Sequence, residues 1–289
     1  MNNEEFFTIK AEHFDCEQIF TCGQCFRWHP DKAAPGWWTG VVRGRVLKIK
    51  SDVDAGTVSV AGCSREEFDA EWRQYFDLDT DYGAIGKYLS GMDEKLAAAV
   101  RYGSGIRILR QEPFEMLISF IISANNNIPR ITKCIETLSR RFGKEICVDP
   151  DTGEVFYAFP TPEALAAATP EQISEACHLG YRCPYIVAAA QQYIDRGGDL
   201  SDPESYTGVG PKVASCIRLF TGADTDAFPV DVWVRRLITE LYFPGAGEPS
   251  LAEINQFIKT YFTRFGGYAQ QYLFFWRRGI EKDGTGSAN

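Results

Sequence analysis

The hydrophobic period of this chain changes once, near residue 64, and that change limits the folds open to it. Before it, apolar and polar residues alternate. Thr57-Val58-Ser59-Val60 runs at period two between Gly56 and Gly62, and residues 37–42 and 46–50 flank Arg43-Gly44-Arg45 as the arms of a hairpin would. After it, the period is helical. Phe114, Leu117, Ile118, Ile121 and Ile122 fall on one helix face, as do Val213, Cys216, Ile217 and Phe220, and then Ile254, Phe257, Ile258, Tyr261, Phe262 and Phe265. Ser64 with Glu67 and Ser250 with Glu253 have the spacing of capping boxes, and Pro160, Pro162, Pro170, Pro184 and Pro203 punctuate helix starts and breaks.

Most of the chemistry is concentrated in Thr207-Gly208-Val209-Gly210-Pro211-Lys212-Val213. Two glycines bracket one apolar residue, and a proline occupies the favoured first position of a helix. Residues 186–194 supply a helix ahead of the glycines, so the expected unit is a helix–hairpin–helix. Glycine lets backbone N–H groups approach a phosphate, and the dipole of the following helix favours an anion. The expected architecture is α+β: an antiparallel β-rich domain over residues 1–82, a mainly α-helical domain with the helix–hairpin–helix motif over 83–280, and a flexible tail at 281–289.

Lys212 lies in the first turn of the second helix, where the dipole disfavours a positive charge. A lysine so placed, and desolvated, loses its proton more readily and becomes a nucleophile; a lysine beside a glycine loop also serves as a plain phosphate contact. Asp231 follows nineteen residues later, in Phe228-Pro229-Val230-Asp231-Val232-Trp233. It fits a helix N-cap, and equally a carboxylate that stabilises a cationic sugar.

Composition narrows the setting. Hydrophobic residues make up 45% and charged residues 24% of 289, enough for a sizeable core, and no apolar run nears the roughly 18 residues of a membrane span. The start, Met1-Asn2-Asn3-Glu4-Glu5, lacks the pattern of a secretory signal, so a cytoplasmic protein is expected, nucleoid-associated in a bacterium. A net charge of −9 disfavours a non-specific nucleic-acid binder and leaves room only for a local basic groove. The nine cysteines are scattered, and Cys22-x-x-Cys25 has no second close pair, which points to reduced thiols and to no metal and no cofactor.

Gly208-Val209-Gly210-Pro211-Lys212 with Pro229-Val230-Asp231 resembles the helix–hairpin–helix/Gly-Pro-Asp superfamily of DNA glycosylases. Over most of its length the chain is similar to the 8-oxoguanine DNA glycosylase/AP lyases that carry an N-terminal β domain. The matching segments are Gly23-Gln24-Cys25-Phe26-Arg27-Trp28, Asn125-Asn126-Asn127-Ile128-Pro129-Arg130, Leu179-Gly180-Tyr181-Arg182, and Ala269-Gln270 with Phe274. The resemblance implies excision of 8-oxoguanine from double-stranded DNA by a monomer, with the lesion opposite cytosine. Lys212 would attack the sugar C1′ and form a Schiff base, and Asp231 would assist. The carbonyl of Gly23 would accept from N7–H, a donor that guanine lacks. Gln270 would read the Watson–Crick edge, with Cys216 and Phe274 on the two faces of the base. Asn125 would fill the gap in the duplex, Tyr181 would wedge beside the orphaned cytosine, and Arg130 and Arg182 would donate to it. Gly208 and Gly210 would hold the backbone, helped by Lys133, Arg140 and Arg141.

Two positions depart from the family's animal members: Trp233 stands where they have histidine, and Ser215 where they have an acidic residue. Cys216 alone lies beyond Lys212, which argues against the iron–sulfur relatives, and Lys212 argues against the alkylbase enzymes that work without a lysine. Two alternatives stand beside the main reading: a non-catalytic helix–hairpin–helix DNA-binding protein, and a glycosylase of the same fold for another damaged base.

Overall fold

Five antiparallel strands open the fold: β1 (Phe6–Lys10), β2 (Trp28–Pro30), β3 (Trp38–Val42), β4 (Arg45–Asp52) and β5 (Thr57–Ala61), in the spatial order β1-β5-β4-β3-β2. The computed structural model describes residues 6–245 and 247–284, with side chains as far as residue 280. Val42 pairs with Arg45 across the two-residue turn Arg43-Gly44, so the predicted hairpin has the tightest connection that antiparallel strands use. Period-two alternation sends Leu47 and Ile49 of β4 and Val58 and Val60 of β5 to one fully buried face. Phe68, Trp72 and Phe76, from the helical turns that begin at the Ser64 capping box, close over that face.

Helices build the remainder, around a second core formed by Leu117, Ile118, Ile217, Leu219, Ile238, Ile254 and Leu273. The two cores meet at the turn after the Cys16–Thr21 helix. Cys22 and Phe26 belong to the helical core, and Cys25 and Trp28 to the sheet core. Fully buried Gln24 pins this turn: its Nε2 donates to the carbonyls of Ile19 (3.0 Å) and Arg107 (2.7 Å), and its Oε1 accepts from Leu109 N–H at 2.8 Å. Gln111 Nε2 donates to the Gln24 carbonyl at 2.8 Å. A buried amide with its capacity so fully used is a rigid fixture.

Three sequence expectations are corrected. The region after residue 64 is not all helix: Glu145–Val148 and Val155–Tyr157 pair as a small antiparallel ribbon. The helix that opens at the Ser250 capping box stops at Tyr261 instead of running through Phe265. Phe265 takes a left-handed φ of 62°, and a further helix, Gly266–Gly284, begins behind it. Residues 281–284 of the predicted tail continue that helix; residues 285–289 lie outside the described residues. No helix among the described residues is long and apolar enough to cross a membrane.

Candidate active site

Residues from four separate segments line one small cavity of about 60 Å³: Gly23, Lys212, Cys216, Asp231, Gln270 and Phe274, with Phe120 and Phe220 behind them. Each arrives there for a local reason. Pro211 starts the Pro211–Thr221 helix, Gly210 is its N-cap, and no side chain caps its end, so the first amides stay available. Lys212 follows in the first turn, half-buried, with Nζ 5.5 Å from the centre of the Phe120 ring. One turn on, Cys216 borders the same cavity; burial pushes its thiol up, while the charge of Lys212 pulls the other way.

Asp231 bears out the helix N-cap reading of its sequence position and also reaches the cavity. It is the N-cap of the Val232–Tyr242 helix, Oδ1 accepting from Val234 N–H at 2.7 Å, and its side chain also borders the cavity beside Lys212. The cap fixes the carboxylate in place, because one oxygen is committed to the backbone.

Gln270 and Phe274 lie four residues apart on the helix the periodicity overlooked, and therefore on one face. Gln270 is 5% exposed, and its Oε1 is buried without a hydrogen-bond partner. Phe274 packs edge-to-face against Trp233 at 5.4 Å, so the tryptophan braces the wall of the cavity. Gly23 has φ +87°, and a Cβ there would stand 3.3 Å from Ile128 Cδ1 and 3.6 Å from Phe274. Any larger residue would be strained in φ and crowded against the aromatic wall. Arg278, one turn beyond Phe274, donates to the Thr21 carbonyl at 2.8 Å and ties this helix to the Gly23 turn. Sequence reasoning missed Arg278 and the anchoring role of Gln24; the spacing 270, 274, 278 was the signal for the first.

A second cluster surrounds the loop at 124–127. Its three asparagines divide the work. Asn126 Nδ2 closes the preceding helix on the Ile122 carbonyl (3.1 Å), Asn127 caps the Ile128–Phe142 helix, and Asn125 is exposed with φ 49°. Arg182 is 6% exposed and donates Nε to the Ala124 carbonyl at 2.8 Å and Nη2 to the carbonyls of Ala124 and Asn125. Its guanidinium lies 4.5 Å from the ring of Tyr181, which is 56% exposed. Arg130 is exposed, with Nη2 on the His178 carbonyl at 3.0 Å.

The hairpin connects the two groups. Gly208 has φ +84°, and a Cβ there would lie 2.9 Å from Tyr185 Cβ; Tyr185 in turn meets Tyr181 edge-on at 5.9 Å. Gly210 faces open space. Lys133, Arg140 and Arg141 are exposed on the Ile128–Phe142 helix, and Ser215 bonds back to the Pro211 carbonyl at 2.9 Å. Cys22 and Cys25 are buried free thiols; burial raises both, Cys22 to about 11, which leaves them as protonated core residues.

Fold and motif together define a helix–hairpin–helix protein with an N-terminal antiparallel sheet, and known proteins match that description closely. Residues 6–117 match the family model for the 8-oxoguanine DNA glycosylase N-terminal domain, and residues 118–261 match the HhH-GPD superfamily of base excision DNA repair proteins. The N-glycosylase/DNA lyase of Saccharomyces cerevisiae is 31% identical, over 82% of this chain and 70% of its own. The 8-oxoguanine glycosylase/lyase of Clostridium acetobutylicum, solved with double-stranded DNA carrying cytosine opposite 8-oxoguanine, is 37% identical with a TM-score of 0.85, over 97% of this chain and 100% of that one. Its apo form superposes with a TM-score of 0.84. The chain belongs to the 8-oxoguanine DNA glycosylase family of the HhH-GPD superfamily.

Proposed function

We propose that the chain excises 8-oxoguanine from duplex DNA and then cleaves the strand, as a bifunctional DNA glycosylase/AP lyase in base excision repair. The carrying observation is the cavity that Lys212 and Asp231 share with the unpartnered Oε1 of Gln270. An acceptor buried without a donor costs on the order of 1–3 kcal/mol, and an extruded purine that brings N–H groups to it returns that energy.

Lys212 Nζ attacks C1′ as the bond from C1′ to the base nitrogen breaks. Positive charge builds on C1′ and the ring oxygen, and the fixed carboxylate of Asp231 stabilises it. One amine proton passes to the departing base and the other to the ring oxygen as the sugar opens, which gives the C1′ imine. Removal of a C2′ proton then expels the 3′ phosphate by β-elimination.

The Gly23 carbonyl accepts from N7–H of the lesion, while in guanine N7 is an acceptor and would face that carbonyl unpaired. The base enters along the wall that Phe274 forms, which Trp233 braces. Cys216 then faces the base from the opposite wall. The hairpin amides at Gly208 and Gly210 hold a phosphate, and Asn125, Tyr181, Arg130 and Arg182 manage the gap and the orphaned cytosine. This reading places the protein as a monomer on chromosomal DNA in the cytoplasm.

Borohydride trapping on an 8-oxoguanine:cytosine duplex tests it. The wild-type chain forms a covalent adduct, and Lys212→Gln forms none while losing at least about a thousandfold in excision rate. DNA binding by the wild-type chain with neither adduct nor base release would instead identify a passive DNA-binding protein.

A further inference from the structure

Beside Arg130 and His178, the structure brings together two cysteines that the excision reaction does not use. Cys134 lies one turn after Arg130 in the Ile128–Phe142 helix, and Cys177 is the last residue of the Pro170–Cys177 helix, directly before His178. Their contacts are reciprocal: Cys134 Sγ lies 3.5 Å from the Cys177 carbonyl, and Cys177 Sγ lies 3.3 Å from the Cys134 carbonyl. Two sulfurs that each reach the other's backbone are close enough for a disulfide with a small shift of the helices.

We propose that Cys134 and Cys177 form a reversible disulfide when the protein meets a hydroperoxide, and that this bridge restrains the opposite-base reader. The second half rests on the function proposed above. Both thiols are buried, so a hydroperoxide reaches them only as the two helix ends open locally, and cationic side chains flank Cys134. Contact with Cys177, and then the charges of Arg130, Arg182 and Lys133, lower the Cys134 thiol, while contact with Cys134 and burial raise that of Cys177. Cys134, which shares its helix with Arg130 and Lys133, is the attacking sulfur once deprotonated, and Cys177 the resolving one.

The steps balance. The Cys134 thiolate attacks one peroxide oxygen, the O–O bond breaks, and the departing alkoxide takes a proton to leave as an alcohol. Cys177 Sγ then attacks the Cys134 sulfenic acid and expels hydroxide, which leaves as water with the Cys177 proton. Two thiols and one hydroperoxide give one disulfide, one alcohol and one water.

The consequence is geometric. Arg130 Nη2 rests on the His178 carbonyl at 3.0 Å, and must leave it to donate to an orphaned cytosine. The bridge joins the helix carrying Arg130 to the residue adjoining His178, and holds that contact closed. Tyr181 and Arg182 follow within five residues of Cys177.

The full chain with exposed Cys147 replaced (Cys147→Ser) removes intermolecular crosslinking. It is treated with hydrogen peroxide, its remaining thiols are alkylated, and it is mapped without reduction. A Cys134–Cys177 linked peptide is expected, with excision on 8-oxoguanine:cytosine reduced roughly tenfold, the worth of one charge-assisted hydrogen bond. Dithiothreitol restores the rate, and Cys134→Ser or Cys177→Ser removes the sensitivity. Free thiols at both positions after treatment, a bridge from Cys177 to buried Cys183 instead, or a Cys134–Cys177 bridge with no change in rate would each overturn the proposal. A reduced protein inactive on the lesion would sink the proposed function and leave the mapping result standing.

Discussion

Gln270 and Arg182 are both buried polar side chains at the proposed DNA-binding site, and the fold treats them in opposite ways. Gln270 keeps an acceptor without a donor beside Lys212 and Asp231. Arg182 gives its nitrogens to the carbonyls of Ala124, Asn125 and Leu179 and so ties one loop to the next segment. Gln270 raises the energy of the free protein in favour of a ligand that brings N–H groups. Arg182 lowers that energy, and can address a cytosine only by exchanging bonds it already has. On the proposed reading, the acceptor on the lesion side is in place before DNA arrives, and the donors on the opposite-strand side are freed by rearrangement when DNA binds.

Arg182→Ala breaks this contrast most severely. It removes charge-assisted bonds worth about 1.5–3 kcal/mol each before compensation by water. A net loss of about 3 kcal/mol of folding stability is expected, and the melting temperature should fall by about 6–12 °C at roughly 2–4 °C per kcal/mol. A melt within a degree or two of wild type would show that these bonds carry no weight.

Gln270→Leu should move the other way. It deletes an unpaired buried acceptor, so the melting temperature should hold or rise. Excision should drop about 10- to 100-fold, matching the loss of one or two hydrogen bonds of about 1–3 kcal/mol in the transition state. If stability falls along with activity, the glutamine is a core residue and the lesion side is not preset.

Gly208→Ala probes the junction between the two sides. The left-handed backbone and the 2.9 Å approach to Tyr185 together predict a loss of about 1–2 kcal/mol. Affinity for undamaged duplex should weaken several-fold, since the strain is released by moving the hairpin. Unchanged stability and unchanged affinity would mean that the hairpin is free to flex.

The sequence exposes the lesion side more fully than the opposite-strand side, for a physical reason. Lys212 and Cys216 follow from helical spacing behind Gly-Val-Gly-Pro, and β3 and β4 follow from alternation around Arg43-Gly44. Such regularities are local. The break at Phe262–Phe265 is not, because four aromatic residues in the 254–265 stretch keep the apolar period running while the backbone turns. That break hid the start of the helix carrying Gln270, Phe274 and Arg278, although the resemblance placed the first two. The 145–157 ribbon is short and half-exposed, with too little alternation to register. Arg182 reads as a surface charge in any pattern analysis, because its partners are carbonyls 57 and 58 residues away. Gln24 is hidden in the same way, bonding across 83 and 85 positions.

Arg130→Ala gives the smallest and most selective effect. Arg130 is exposed, and its side-chain bond to the His178 carbonyl is wetted by solvent, so its removal should change stability by no more than about 0.5 kcal/mol. Excision opposite adenine should change less, whereas excision opposite cytosine should fall about 3- to 10-fold, because cytosine offers two adjacent acceptors, N3 and O2, to a guanidinium once its partner has left, and adenine offers N1 beside an amino group. The measurement is the ratio of the two rates under single turnover, which cancels general losses in binding. A proportional drop opposite both bases would make Arg130 a phosphate contact and leave opposite-base reading to Arg182. That residue would then have to leave the Ala124 and Asn125 carbonyls in every productive encounter, and the rearrangement on the opposite-strand side would be larger than release of Arg130 from His178 requires.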